Sequence, residues 1–201
     1  MQAIMISIRP QWVEKILDGI KKDEIRKGTA IGKAINRLIK EQGVAPMLIY
    51  CTKGKPTLKG LIAKSWYGLG GYFDYEKLNG KVVARFNATA EEIKYHFGYY
   101  NMGEWTESYI LENSRLTAEE LDNYLQASKE YDETKVSRVY GYDIHINDLE
   151  IFDKPKELWQ FKKHMSSGDC WTCKIFGSGC RTCSITKAPQ SYCFIETGDF
   201  K

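Results

Sequence analysis

The stretch "CWTCKIFGSGCRTC" constrains the local fold of this chain more than any other feature of its sequence. Two C-x-x-C pairs, separated by six residues that include Gly-Ser-Gly, can turn four thiolates toward one ion. Four thiolates in a tetrahedron are the usual ligands of a closed zinc site, which leaves no position for a reacting water molecule. The sequence therefore predicts a structural Zn²⁺ in an inserted loop over 165–187, with an iron–sulfur cluster or unligated thiols as alternatives. The predicted ligands are Cys170, Cys173, Cys180 and Cys183.

The length and composition indicate a folded protein with one sizeable core. At 201 residues and 23.2 kDa, the whole chain (1–201) is predicted to be a single domain that contains the cysteine loop. The N-terminal "MQAIMISIRP" lacks a secretory signal, and no apolar run is long enough to span a membrane. We therefore expect a cytoplasmic protein, in which thiols stay reduced. Cys51 and Cys193 lie in apolar stretches and are expected to be buried thiols.

Hydrophobic patterns predict an α+β fold with short strands. Strands are expected at "AIMISIRP", "KDEIRKG", "APMLIYCTKG", "GKVVARFNAT" and "APQSYCFIET", with one or two more in "VYGYDIHINDLEIF". Helices are expected after Pro10, where an apolar stripe ends near Gly19, and in "GKAINRLIKEQG", "LTAEELDNYL" and "KPKELWQFKKH". Short strands, a helix between the first two and no regular alternation of strands and helices predict a small mixed or barrel-like β-sheet with peripheral helices. The absence of the phosphate-binding glycine pattern argues against a doubly wound fold.

The charges are distributed unevenly along the chain, although the net charge is only +3. Residues 20–64 hold eleven Lys or Arg against three Asp or Glu, whereas residues 91–133 hold three against eleven. This asymmetry favours a basic face that contacts phosphates and an acidic face directed elsewhere; two solvated surfaces are the alternative.

The stretch "DGIKKDEIRKG" brings a lysine, a carboxylate and a guanidinium close together. Glu24 and Arg26 share one face of an extended segment, and Lys21 lies at its start. Such a group can bind a phosphate, orient a base edge or transfer protons. From the spacing alone, a neutralising surface ion-pair network is the favoured interpretation of these residues. His145, in the alternating strand "YDIHIN", is interpreted as a packed or surface histidine.

The segment "ISIRPQWVEKILDGIKKDEIRK" resembles the N-terminal signature of the ASCH domain (activating signal cointegrator homology), a PUA-like family. The signature G-x-K-x-x-E-x-R is present as Gly19, Lys21, Glu24 and Arg26. The resemblance continues in "MLIYCTK", "VVARFNA", "YGYDIHINDLEIFDKPKEL" and "APQSYCFIE", and extends to the branch associated with phages and Gram-positive bacteria. It implies a PUA-like barrel whose cleft, beside the first helix, binds RNA or a nucleotide.

The resemblance also suggests which residues bind the ligand. Lys21, Glu24 and Arg26 would form the cleft, and Gln190 and Ser191 would line it. Arg9 and Lys53 flank strand ends and would extend the basic surface, unless they are merely solvated.

Three functional hypotheses follow from the motif and the charges. The first is binding of RNA or a modified nucleotide. The second is an amidohydrolase, since some small ASCH proteins remove the acetyl group from N4-acetylcytidine. Those enzymes use the motif lysine, a threonine and a downstream carboxylate. Lys21 and Glu24 would then be catalytic here, with Glu91 and Glu92 as candidate carboxylates.

The position of Glu24, where such hydrolases carry Thr, favours binding over catalysis. The third hypothesis is a phage-type protein that inhibits a host or defence nuclease, with the acidic segment 91–133 contacting the protein partner.

Overall fold

The computed structural model describes residues 1–54, 75–96, 98–103, 105–127, 138–163 and 183–196. The chain divides into two compact units, which are described separately below. The first unit comprises Met1–Leu17, Pro46–Phe86 and Leu149–Lys201, and the second comprises Asp18–Ala45 and Asn87–Asp148.

Strands and helices alternate irregularly in the described residues. The strands are β1 (Gln2–Ile8), β2 (Asp23–Lys27), β3 (Pro46–Cys51), β4 (Val82–His96), β5 (Tyr99–Met102), β6 (Trp105–Thr106), β7 (Val139–Lys156) and β8 (Tyr192–Glu196). The helices are α1 (Pro10–Leu17), α2 (Ala30–Gln42), α3 (Tyr75–Leu78), α4 (Glu107–Ser114) and α5 (Ala118–Leu125), with a 3₁₀ turn at Leu158–Gln160. None of these described helices is long and apolar enough to cross a membrane.

The strands form a mixed sheet, as the sequence predicts. Their hydrogen-bonding order is β2-β7-β4-β3-β1-β8, with β5 paired to β4 and β6 paired to β5. Strand β1 runs parallel to β3 and antiparallel to β8, and β2 runs antiparallel to β7. The α+β class is therefore confirmed. Because β2 and β8 end this order, the described strands form an open sheet rather than a closed barrel.

The core of the first unit is built around β1, whose residues from Ala3 to Ile8 are buried because strands flank it on both sides. Helix α1 begins at Pro10, where a missing N–H and a fixed φ cost nothing. Apolar side chains from β1, β3, β4 and β8 meet Phe161 and Ile185 in one cluster. The sequence predicted these strands, but the short helix expected in "KPKELWQFKKH" is only the 3₁₀ turn.

The second unit packs helices α4 and α5 against one face of strands β2, β4, β5 and β7. Its apolar core is formed by Ile25, Ile93, Tyr100, Met102, Ile110, Leu121, Leu125, Ala127 and Tyr140. Two local predictions are confirmed in this unit. Gly19 has a φ of +69°, the left-handed conformation that suits glycine just after a helix, and Thr117 and Glu120 form the capping box of α5.

Candidate functional site

Lys21 lies just before β2 and is almost fully buried, with 3% of its surface exposed. Its ammonium donates hydrogen bonds to the main-chain oxygens of Asp23 at 2.5 Å and Ser114 at 2.9 Å. It also lies 3.3 Å from Glu24 Oε2. These acceptors match the three N–H donors of an ammonium. Since Ser114 is the last residue of α4, the positive charge also complements the carbonyl end of that helix.

Glu24 lies between two cations. Its Oε2 faces the Lys21 ammonium, and its Oε1 lies 3.1 Å from Arg26 Nε. Only 10% of the Glu24 side chain and 13% of the Arg26 side chain are exposed. We refer to Lys21, Glu24 and Arg26 as the Lys21 network. The structure brings these motif residues together, but as a buried ion-pair network rather than the surface network that spacing alone allowed.

The face of β2 that carries Arg26 is shared by Tyr142 of the neighbouring strand β7. Arg26 is paired in register with Tyr142 of β7, whose hydroxyl donates a hydrogen bond to Glu92 Oε1 at 3.0 Å. Burial and this hydrogen bond raise the pKa of Tyr142. The Tyr142 ring lies against Gly32 of α2, where an added Cβ would come within 2.1 Å of the ring. The absent side chain at Gly32 is therefore what allows Tyr142 to pack there.

The other face of the same strand pair carries acidic groups and a histidine. Asp23 and His145 are directly opposite each other in the β2–β7 register, and Asp143 lies two residues from His145 on that face. His145 Nδ1 is 3.0 Å from Asp23 Oδ1. Donor atoms of Asp23, Asp143 and His145 all lie within 4.8 Å of one another. We call these three residues the Asp143 cluster.

Asp143 is fully buried, and neither of its carboxylate oxygens has a hydrogen-bond partner among the described residues. Burial is the main reason why its pKa is raised to about 8, and the nearby Asp23 carboxylate raises it further. His145 and Lys21 oppose this shift. A buried carboxylate without hydrogen bonds is costly, so it either binds a proton or requires a cation.

His145 forms a hydrogen bond with an aspartate at one ring nitrogen and has a glutamate near the other. The hydrogen bond with Asp23 is the main cause of its raised pKa, which burial opposes. On the other side, His145 Nε2 is 3.7 Å from Glu91 Oε1, and 42% of the Glu91 side chain is exposed. The sequence predicted a packed or surface histidine at position 145 but did not predict the carboxylates of Asp23 and Glu91 beside it.

The remaining predicted ligand residues, Arg9, Lys53, Gln190 and Ser191, are all exposed and belong to the first unit. The main-chain oxygen of Ser191 accepts a hydrogen bond from Ser7 N at 2.9 Å, which ties the segment before β8 to β1. Of these four residues, only Lys53 lines the first-unit cavity described next.

A cavity of about 610 Å³ lies in the first unit beside the end of β3. Trp159 is on its wall, and 64% of this residue is exposed. Lys53 and Lys187 contribute two cations. We call this space the Trp159 cavity; its lining is completed by Tyr50, Thr52, Gly80, Glu157, Leu158, Ile185, Thr186 and Ala188.

The turn at Gly80 leaves space for the Lys53 side chain, one of the two lysines that line the Trp159 cavity. A Cβ added at Gly80 would lie 3.0 Å from Lys53 Cε, and the φ of Gly80 is +77°, so a glycine at this position permits both the turn and the lysine packing. Glu157, the acidic residue on the wall, forms an ion pair with Lys81. The negative charge of Glu157 is thereby compensated, whereas Lys53 and Lys187 add positive charge to the cavity.

The predicted metal ligands Cys170, Cys173 and Cys180 lie outside the described residues, as does most of the loop 165–187. Cys183 is described and is buried, with 4% exposed. Its main-chain oxygen accepts a hydrogen bond from Lys163 N at 2.8 Å. Burial also raises the pKa of the Cys51 thiol to about 12 and of the partly buried Cys193 thiol to about 11, so neither is an activated nucleophile.

Several acidic residues of the segment 91–133 have local structural partners. Glu107 Oε2 accepts a hydrogen bond from Tyr100 N at 2.8 Å, and Asp122 Oδ1 accepts one from the Tyr100 hydroxyl at 2.7 Å. Glu119 and Glu120 lie in the first turn of α5, where carboxylates interact favourably with the helix dipole. Contact with a protein partner through this segment stays a prediction.

The sequence interpretation missed Trp159 and the Asp143 cluster. Asp143 and His145 alternate with apolar residues, a pattern that predicts a solvated face, but α4 and α5 cover that face. The sequence feature that could have indicated this cluster is Asp23, because it lies on the same face of β2 as the core residue Ile25. An aspartate at such a position requires a partner inside the protein.

No known family model matches the sequence, and no curated protein is significantly similar to it. ASCH from Zymomonas mobilis is similar in structure, with 10% identity and a TM-score of 0.40 over 98% of this chain and 90% of that chain. The N-terminal domain of Staphylothermus marinus McrB is also similar, with 10% identity and a TM-score of 0.35 over 77% of this chain and 76% of that chain. Because these scores are low, we infer function from this chain's own residues.

Proposed function

We propose that this protein binds single-stranded RNA or a nucleotide in the Trp159 cavity. The observation that carries this proposal is an exposed tryptophan on the wall of a cavity that also holds Lys53 and Lys187. An exposed indole is costly in water and offers a flat surface on which any base can stack. Lysines nearby supply the positive charge that a phosphate backbone requires.

The composition of the cavity favours a ligand with one apolar face and one anionic group. Leu158 and Ile185 supply apolar surface beside the indole, and Thr186 supplies a hydroxyl that can donate or accept a hydrogen bond. Glu157 is neutralised by Lys81, so it does not cancel the attraction of the two cavity lysines. A base with its phosphate matches these groups better than a purely apolar ligand.

We also propose that the chain belongs to the ASCH family, on the basis of its G-x-K-x-x-E-x-R signature. Gly19 has the left-handed conformation after α1, and Lys21, Glu24 and Arg26 are in contact through their charges. Lys21 and Glu24 are buried, and their charged groups already have partners within the protein. We therefore assign them the role of holding β2 against α4. Arg26, the most exposed of the three, is the network residue best placed to contact a ligand directly.

Fluorescence anisotropy with a labelled single-stranded RNA of about ten nucleotides tests the binding proposal. Trp159→Ala should weaken binding about tenfold or more, because base stacking contributes about 1–3 kcal/mol. Replacing both Lys53 and Lys187 by alanine should weaken binding and flatten its dependence on salt. Lys154→Ala is the matched control, since Lys154 is exposed in the same unit but does not line the cavity.

The same anisotropy assay shows whether RNA binds in the Trp159 cavity or at the Lys21 network. If Arg26→Gln abolishes RNA binding while Trp159→Ala leaves it unchanged, the ligand contacts the Lys21 network and the cavity proposal is wrong. If the wild-type chain binds neither RNA nor a nucleotide, the proposed function itself is wrong.

The second candidate is an amidohydrolase activity, in which Lys21 Nζ, 3.3 Å from Glu24 Oε2, would have to leave the carbonyls of Asp23 and Ser114 to reach a substrate. A lysine beside a carboxylate is suited to proton transfer at an amide. Incubation of the full chain with N4-acetylcytidine, followed by chromatography, tests for release of cytidine. Turnover by wild type that is lost in Glu24→Gln would support this activity, and absence of turnover in wild type would exclude it for this substrate.

We propose in addition that Cys170, Cys173, Cys180 and Cys183 hold one structural Zn²⁺. The spacing of two C-x-x-C pairs supports this, and burial of Cys183 fits a ligand that is closed off from water. Elemental analysis should give about one zinc per molecule more for the wild-type chain than for Cys183→Ser. Loss of iron rather than zinc in Cys183→Ser would indicate the iron–sulfur alternative, and an equal metal content of the two proteins would indicate unligated thiols.

A further inference from the structure

We propose that Asp23, Asp143 and His145, the Asp143 cluster, bind one divalent transition-metal ion. This site is distinct from the predicted cysteine site and from the Trp159 cavity. Two carboxylates and one imidazole form a mixed oxygen and nitrogen donor set, which suits Mn²⁺, Fe²⁺ or Zn²⁺ better than Ca²⁺ or Mg²⁺.

The backbone fixes the three donors at suitable positions. All three residues belong to the antiparallel pair β2–β7, in which Asp23 faces His145 and Ile25 faces Asp143. Their donor atoms lie within 4.8 Å of one another, so small rotations of the side chains would place them all about 2.0–2.2 Å from one ion. Ligands on paired strands are held more firmly than ligands on a loop.

The hydrogen bonding of the cluster is incomplete without a cation. Asp143 has no exposed surface, and neither of its oxygens has a hydrogen-bond partner among the described residues. Asp23 Oδ2 is also buried without a partner in this part of the chain. Three unsatisfied acceptor atoms therefore lie in one small region, next to the imidazole. A bound metal ion would satisfy them together, whereas a single proton could satisfy only some of them.

The nearby charges are compatible with this role. The Lys21 ammonium donates to the main-chain oxygens of Asp23 and Ser114 and lies 3.3 Å from Glu24 Oε2, and its charge also acts on Asp143, whose two oxygens still have no hydrogen-bond partner among the described residues. Glu91 Oε1 is 3.7 Å from His145 Nε2, on the side of the ring away from Asp23. At 3.7 Å this carboxylate is beyond hydrogen-bond distance, and a small movement of the exposed Glu91 side chain would let it accept the outer N–H and orient the ring of a metal-binding histidine.

Titration of the full chain with Mn²⁺ tests the proposal, since Mn²⁺ is a poor match for the four thiolates. The chain is first dialysed against a chelator, and bound Mn²⁺ is measured by loss of the electron paramagnetic resonance signal of the free ion. We expect one ion per wild-type chain. Asp143→Asn, which keeps the shape of the side chain, and His145→Gln should each weaken binding at least tenfold.

Asp148→Asn is the matched control, because Asp148 is an exposed aspartate of β7 whose positive φ of 52° also suits asparagine. This variant should bind Mn²⁺ as the wild type does. The proposal is overturned if wild type binds no Mn²⁺, or if both Asp143→Asn and His145→Gln bind it within threefold of wild type. Circular dichroism establishes that each variant is folded, so that loss of binding is not loss of structure.

Discussion

Glu24 and Arg26 of the Lys21 network lie on the opposite face of the β2–β7 strand pair from the Asp143 cluster, and the charges of the two groups are balanced very differently. In the Lys21 network, one carboxylate lies between two cations, and the ammonium has an acceptor for each donor. In the Asp143 cluster, two buried carboxylates share one imidazole, and three carboxylate oxygens have no hydrogen-bond partner among the described residues.

Burial alone therefore does not define a functional group. A satisfied buried ion pair holds the structure in one arrangement, and removing one partner leaves an uncompensated charge. An unsatisfied carboxylate instead remains available for a proton or a metal ion. Lys21 therefore has a structural role in the second unit. The groups that can still bind a proton or a metal ion are the carboxylates of Asp23 and Asp143.

Lys21→Met should produce the largest effect on stability. The substitution leaves Glu24 without one of its two cations and leaves the Ser114 carbonyl without its donor. Removing one partner of a buried pair costs about 3–5 kcal/mol, and urea unfolding followed by circular dichroism would measure it. Lys22→Met, at an exposed neighbouring position, should change stability by less than about 0.5 kcal/mol. Equal effects of the two substitutions would contradict the structural role of Lys21.

Asp143→Asn should change stability in a manner that depends on pH, when measured in the presence of a chelator. The folded-state pKa of Asp143 is raised to about 8 from an ordinary value of 3.8, so between these values the folded chain binds a proton that the unfolded chain has lost. The contribution of this group to stability therefore falls as the pH rises through that range. Asparagine has no such proton and removes this slope.

The variant should accordingly gain about 1–3 kcal/mol relative to wild type between pH 5 and pH 8, as the buried carboxylate ionises in the wild type. Urea unfolding at several pH values would measure the difference. Asp148→Asn, on the exposed part of β7, should show no comparable trend. A constant difference between Asp143→Asn and wild type across this range would mean that Asp143 titrates normally.

Gly32→Ala tests the packing beneath the Lys21 network. The new Cβ would come within 2.1 Å of the Tyr142 ring, so the ring must move and its hydrogen bond to Glu92 is disturbed. Overpacking costs about 1–3 kcal/mol, partly offset by the higher helix propensity of alanine. We expect a net loss of about 1 kcal/mol in thermal or urea unfolding. Lys33→Ala, on the exposed side of the same helix, should be nearly neutral.

The sequence predicted the strands β1–β4, β7 and β8 and the helices α1, α2 and α5, because each carries short-range signals, but it did not predict β5, β6, α3 or α4. The stripe that follows Pro10, the alternation in "GKVVARFNAT" and the capping box at Thr117 all correspond to observed elements. Long-range packing was not predictable in the same way. Whether Lys21 is exposed depends on α4, whose last carbonyl comes from Ser114, a residue 93 positions away.

The same limit explains why the Asp143 cluster was missed. The alternation in "YDIHIN" gives the spacing of Asp143 and His145 correctly, but it cannot specify which face a helix covers. Pairing with Asp23 arises only from the β2–β7 register, which joins residues more than a hundred positions apart. Local patterns thus predict which residues share a face, and tertiary packing decides the environment of that face.

Tyr142→Phe should have the smallest effect on stability, because the hydrogen-bond partner of the Tyr142 hydroxyl is a half-exposed glutamate. The substitution removes the hydrogen bond from the Tyr142 hydroxyl to Glu92 Oε1 but keeps the ring that fills the space beside Gly32. Glu92 retains water and Lys94, whose ammonium lies 3.4 Å from its other oxygen, so no buried charge is left unpaired. We therefore expect a loss of about 0.5–1 kcal/mol in urea unfolding. A loss as large as that of Lys21→Met would mean that Glu92 belongs to the buried network, and the distinction between satisfied buried charges and solvated ones would not hold on this face.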